Sequence, residues 1–322
     1  MKSAIPASGL DAASTTTRSW LPWQGQFLLL SAIWGLSFLL IKVGDQGLPP
    51  LQVALGRLLF GAATLLVILA VRRDRLPRGA GTWGHLAVAG LLFNAVPFSL
   101  FAFGETRVTS VVAGILNATT PLLTMLVTMA ALREERPSLE RTLGLFIGFA
   151  GVLVVLGFWR GVGGGELLGY LACLGAAACY ALGFTYVRRH LTGRRESAVA
   201  LSTAQVLCGT VQVALVTPLL SKVPAAVPSP TVIVSLAALG ILGTGLAYVL
   251  NYGIIRAAGP TVASTVTYVI PLFSTAAGVL FLGEPIGWNE PIGGLVVILG
   301  VAVAQGRGRL GSLRVRSAAT RS

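Results

Sequence analysis

The chain has 322 residues, 54% of them hydrophobic and only 11% charged, where an ordinary soluble domain carries about 25% charged residues; with a mean hydropathy of +0.81, a fold solvated mainly by water is excluded. The net charge of +13 is not the stripe of a nucleic-acid binder. The arginines fall in short clusters between apolar stretches, Arg72, Arg73, Arg75 and Arg78 being one and Arg188, Arg189, Arg194 and Arg195 another, as in loops held on the cytoplasmic side of a membrane.

A polar tail rich in Ser and Thr occupies 1–25, and no Ala-x-Ala cleavage site ends the apolar run from Phe27 to Ile41, so the first helix reads as an uncleaved anchor. A membrane-spanning helix needs about 20 mainly apolar residues. On that measure the sequence predicts helices over 26–44, 50–71, 83–103, 108–132, 141–159, 166–189, 199–220, 231–255, 261–282 and 288–305. The expected fold is an all-α integral membrane protein with ten transmembrane helices, followed by a basic cytoplasmic tail over 307–322. The tenth helix is expected to be short, because Pro291 and two glycines leave an apolar core of about 14 residues. With the N-terminus inside, 19 Lys and Arg residues fall on the cytoplasmic side and 4 outside. That bias places both termini in the cytoplasm and requires an even number of crossings, since one missed helix would flip every later loop. Composition fits a bacterial plasma (inner) membrane.

The chain repeats itself at an offset of 150 residues: Pro121, Leu122, Leu132 and Glu134 precede Pro271, Leu272, Leu282 and Glu284 by that distance, as Ala113 does Ala263 and Gly144 does Gly294. A weaker match at 146 places Trp34, Phe38 and Lys42 on Tyr180, Phe184 and Arg188. The repeat unit is five helices, over 26–160 and 161–306. An odd unit enters the membrane from opposite faces in its two copies, so the halves are inverted repeats, the architecture of secondary transporters.

The stretches PLLTMLVTMAALREERP and PLFSTAAGVLFLGEPIG, with SAIWGLSFLLIKVG and the Arg57 segment QVALGRLLFGAATLL, resemble the EamA family of the drug/metabolite transporter superfamily. The resemblance covers about residues 26–306. It implies a ten-helix carrier of amino acids, other metabolites or amphipathic drugs, an efflux protein in kind. It also implies a central cavity lined by helices 1, 3, 4, 6, 8 and 9, with helices 5 and 10 peripheral.

Pro121 and Pro271 lie inside helices, where proline frees the carbonyls of Asn117 and Thr267 four residues earlier. Such kinks require protein or water nearby. Asn117, Thr119, Thr120, Thr265, Thr267 and Tyr268 are therefore expected to line the solute site, the alternative being that their side chains satisfy backbone groups or neighbouring helices. Trp34 and Tyr180, with Asn94, Tyr248, Asn251 and Tyr252, would add an aromatic and amide wall. Arg57, an ionisable group inside a helix, is assigned to gating or to structural pairing with Glu105 or Asp45, unless its stem snorkels to the surface. Glu134 and Glu284 read as turn or gate residues at opposite faces. Gly144, Gly148 and Gly151 form a smooth helix-packing face, with a homodimer contact as one use of it; Gly294 is grouped with them.

Cys173, Cys179 and Cys208 lie in apolar segments without metal or disulfide spacing. Gly163 to Gly165 reads as a loop without the phosphate-binding pattern, and His85 and His190 stand apart in sequence. No catalytic constellation, metal or cofactor is expected, and the partners are a small solute and the lipid bilayer. A channel or membrane scaffold is the rival reading.

Overall fold

The computed structural model describes residues 21–131, 139–157, 159, 164–191, 194, 196–221, 227–259, 262–263 and 265–305. Among these there is no strand. The helices run α1 (Trp23–Asp45), α2 (Pro50–Val71), α3 (Ala80–Gly90), α4 (Val96–Glu105), α5 (Ser110–Asn117), α6 (Thr120–Ala131), α7 (Leu139–Leu156), α8 (Gly164–His190), α9 (Ala198–Leu220), α10 (Pro230–Gly240), α11 (Ala247–Ala258), α12 (Val266–Leu282) and α13 (Asn289–Gln305). Eight runs are long and apolar enough to cross a membrane, and Val266–Leu282 and Asn289–Ala304 are shorter apolar helices. Large apolar side chains stand exposed on the outside of the bundle, among them Val67, Phe146, Phe149, Leu215, Leu219, Leu280, Phe281 and Leu295, a surface that suits hydrocarbon rather than water.

Local chemistry sets the helix starts. Pro50 and Pro230 occupy first-turn positions, where a missing N–H costs nothing. Thr109, Ser197 and Ser229 accept from the backbone N–H groups of Val112, Ala200 and Val232, satisfying donors that a helix start leaves unpaired.

Three spans are interrupted. The run Ala80–Glu105 contains a π-helical segment at Leu91–Ala95, and the run Pro230–Ala258 contains another at Ile241–Leu246. The fourth predicted helix divides into α5 and α6 at Ala118 and Thr119, so Pro121 sits in the first turn of α6 rather than mid-helix, where it is easily accommodated. The ninth begins at Val266, later than the predicted 261, after Gly259 takes a φ of 89°; Pro271 does lie inside it. Gly164 and Gly165 open α8 instead of forming a loop.

Glycine sets the closest helix approaches. A Cβ on Gly300 would lie 2.4 Å from Gly148 N, and one on Gly144 or Gly151 would collide with Gly300 O or Val297 N. The smooth face of α7 is therefore filled by α13 of the same chain, which corrects its use as a homodimer contact. Gly294 is not part of this crossing and faces Ile115. A second close approach sets Gly240 against Gly61, and a third sets Gly90 against Gly209.

Polar contacts at the helix ends join loops in two groups. In one, Lys42 donates to the carbonyls of Glu105 and Val108, Gln52 to Ser221, Glu284 accepts from Ser110, and Trp159 stacks on Trp288 at 5.2 Å. In the other, Ser197 donates to Asp74, Arg194 to Thr82, and the rings of His85 and His190 stack at 5.0 Å with Tyr186 between α3 and α8. The two histidines, distant in sequence, are thus neighbours.

Candidate functional site

The π segment at Ile241–Leu246 is the hub of the first cluster. A π turn widens the helix and changes which carbonyls its own backbone can satisfy, and Gly243 O is taken up by side chains from two other helices. Trp34 Nε1 of α1 donates to it at 3.3 Å and Arg57 Nη2 of α2 at 3.3 Å. Arg57 Nε donates to Thr244 Oγ1 at 3.2 Å, and the guanidinium lies 3.7 Å over the Phe98 ring, a favourable cation–π geometry. Arg57 is 7% exposed and Thr244 wholly buried.

The π segment at Leu91–Ala95 is the hub of a second cluster of the same design. Asn94, fully buried, donates to Tyr248 Oη at 3.0 Å and accepts from Gln205 Nε2 at 2.9 Å. Gln205 Nε2 also approaches Tyr248 Oη at 3.4 Å. Thr244 follows Asn94, and Tyr248 follows Phe98, by the same 150 residues as the repeat, while Gln205 follows Arg57 by 148. Arg57 with Thr244 and Phe98 thus corresponds to Gln205 with Asn94 and Tyr248. The crossings of Gly61 with Gly240 and of Gly209 with Gly90 carry the same correspondence. Sequence reading missed Gln205 and Thr244; the signal was there, in an amide and a hydroxyl inside apolar helices at matched offsets.

The structure brings Trp34, Arg57, Asn94 and Tyr248 into these two clusters. Tyr180 of α8 is half-buried, packs on Phe93 and Phe101, and lies with Tyr248 within electrostatic reach of Arg57. Tyr252, a turn beyond Tyr248, accepts from Ser202 at 2.9 Å; Asn251 is half-buried and outside both clusters. Two clefts of about 410 and 210 Å³ are lined by Leu51, Ser99 and Leu100, with Gln212 at the smaller, and none of the cluster side chains is among their lining residues.

Other expected site residues go elsewhere. Thr119 and Thr120 are buried, and their hydroxyls donate to Leu116 O and Asn117 O. They satisfy the backbone at the α5–α6 break, as the alternative reading of these residues expects, and Asn117 is buried in the same break. Thr265 likewise donates to Val262 O at 2.7 Å. Thr267 and Tyr268 are half-buried at the start of α12. Among the described residues Arg57 makes no hydrogen bond to Glu105 or Asp45, whose carboxylate oxygens are buried without hydrogen bonds, while Glu105 lies within electrostatic reach of the guanidinium. Glu284 is a helix cap, accepting from Ser110 N at 2.9 Å, Ser110 Oγ at 2.8 Å and Val111 N at 3.2 Å. Glu134 lies outside the described residues.

The sequence model of the EamA-like transporter family matches twice, over residues 22–157 and 167–305. The chain belongs to the EamA-like transporter family. Other members resemble it along most of their length. The "Uncharacterized transporter YvbV" of Bacillus subtilis is 28% identical over 88% of this chain and 92% of its own. The "Uncharacterized inner membrane transporter YedA" of Escherichia coli is 27% identical over 90% and 93%. A protein of known crystal structure shares the fold, with a TM-score of 0.62 at 21% identity over 89% of this chain and 97% of that one. As an EamA-like protein the chain is a multi-pass membrane transporter, a reading that points away from an enzyme.

Proposed function

We propose that this EamA-like protein is a secondary carrier that exports a small organic solute, such as an amino acid or an amphipathic drug, across a bacterial inner membrane by alternating access. Ten helices cross the bilayer, residues 26–160 and 161–306 form two inverted halves, and both termini are cytoplasmic. The observation that carries the reading is the pair of matched clusters. In each, the second helix of one half holds the π segment of the other half, through Arg57 and Thr244 in one case and Gln205 and Asn94 in the other. Two halves locked to each other by equivalent contacts can exchange conformations at little net cost, and a site between them then faces alternate sides. The helix-end contacts support the orientation, because each joins loops that the charge count puts on the same side. The similarity to YedA, an inner membrane transporter by name, supports the inner membrane.

Counterflow of labelled amino acids, other metabolites and cationic drugs in proteoliposomes tests the reading. Saturable, competitor-sensitive exchange is expected. High flux without saturation would make the protein a channel, and no exchange by folded protein across the panel would leave a scaffold.

A further inference from the structure

We infer that Arg57 is the receptor for an anionic group of the solute, and that the carried compounds bear a carboxylate; the inference rests on the carrier reading and names the solute class of that same site.

A guanidinium keeps its charge in proteins, and a buried ion is costly unless an opposite charge accompanies it. Arg57 is 7% exposed, yet its hydrogen bonds go to a neutral hydroxyl and a neutral carbonyl. Glu105 lies within electrostatic reach of Arg57, but the oxygens of Asp45 and Glu105 make no hydrogen bond among the described residues, so neither acid touches the guanidinium.

The corresponding position in the other half supplies an internal control. Gln205 ties its helix to the opposite π segment as Arg57 does, without a charge. Holding the two halves together therefore requires an amide, and the positive charge at Arg57 exceeds what that task needs. Of the five N–H groups of a guanidinium, Arg57 uses one on Nε and one on Nη2. The other three lie on the two Nη nitrogens, whose outer edge presents one N–H from each in the fork that matches a carboxylate. Phe98 covers one face, and the half-buried Tyr180 and Trp34 offer aromatic surface for the body of the solute.

Arginine-specific labelling with phenylglyoxal tests this on the wild-type protein in nanodiscs, with each adduct quantified by peptide mass spectrometry. Exposed Arg72 reports reagent activity. The probes are matched acids and amides: benzoate with benzamide, and phenylalanine with phenylalaninamide. Arg57 is expected to react, and an acid at about ten times its Kd to slow that reaction about tenfold while leaving Arg72 unchanged; the amides should not protect. Protection by both benzoate and phenylalanine would assign recognition to the carboxylate alone, whereas protection by phenylalanine only would add its ammonium. Failure of Arg57 to react while Arg72 does, labelling that no acid slows, or equal protection by the amides would overturn the inference. Protection without counterflow would retain it and remove the carrier reading. Counterflow of neutral or cationic solutes with Arg57 unprotected would do the reverse.

Discussion

Glu284 and Arg57 are both buried ions, and only Glu284 has its charge met by direct hydrogen bonds from backbone donors, whereas Arg57 donates to neutral acceptors. Glu284 spends its carboxylate on the start of α5, where three donors converge and the helix dipole favours a negative charge. Glu284→Gln places an amide N–H against one of those donors and should destabilise the protein by about 1–2 kcal/mol, read as an earlier thermal unfolding in detergent, with solute affinity unchanged. Arg57→Gln copies the residue of the other half. It should unfold at close to the wild-type temperature while losing at least about tenfold in affinity for the protecting acids; unfolding far below wild type would mean that the charge has a structural duty. At this scale the sequence was partly legible. A charge inside an apolar helix is conspicuous, so Arg57 stood out, and Glu284 and Pro121 stood out through the 150-residue repeat. The hydrogen-bond partners of the two ions come from other elements, and neither spacing nor composition carries that information, which is why the bonds of Arg57 to Thr244 and Gly243 were not anticipated.

Helices were legible where a continuous apolar run defines them, as in α2 and α9, whose observed ends match the expected ones to within one residue. The π segments were not. One additional residue in a helical turn leaves hydropathy unchanged, and only the three-dimensional consequence, a side chain from elsewhere taking up a carbonyl, reveals it. Nor did GxxxG spacing on α7 say whether its partner was a second copy or α13. Since a Cβ on Gly300 would meet Gly148 backbone at 2.4 Å, Gly300→Val should cost at least about 1–3 kcal/mol through overpacking. Gly81→Ala in α3, which meets nothing within 4 Å, should unfold at or slightly above the wild-type temperature. Equal melting temperatures for the two variants would remove the tight crossing.

Across the whole molecule, the arginine clusters and the 150-residue offset are what the proposed two-part arrangement rests on, because charge bias and duplication are properties of the linear chain. Accessibility can test the orientation. With Cys179 and Cys208 replaced by alanine, the Gly79→Cys variant should react with an impermeant thiol reagent only from the cytoplasmic side, and Thr106→Cys only from outside; labelling of both from one side would invert or discard the topology. A carrier of the proposed kind alternates between two end states in which its halves trade conformations. Identical halves would make those states equal in energy. Arg57 and Gln205 occupy corresponding places without being alike, so a positive charge present in one half only weights the two states unequally, and a bound anion removes part of the difference. The empty protein therefore rests facing one side, its unaided return is the slow leg of the cycle, and swapping one solute for another outruns net transfer.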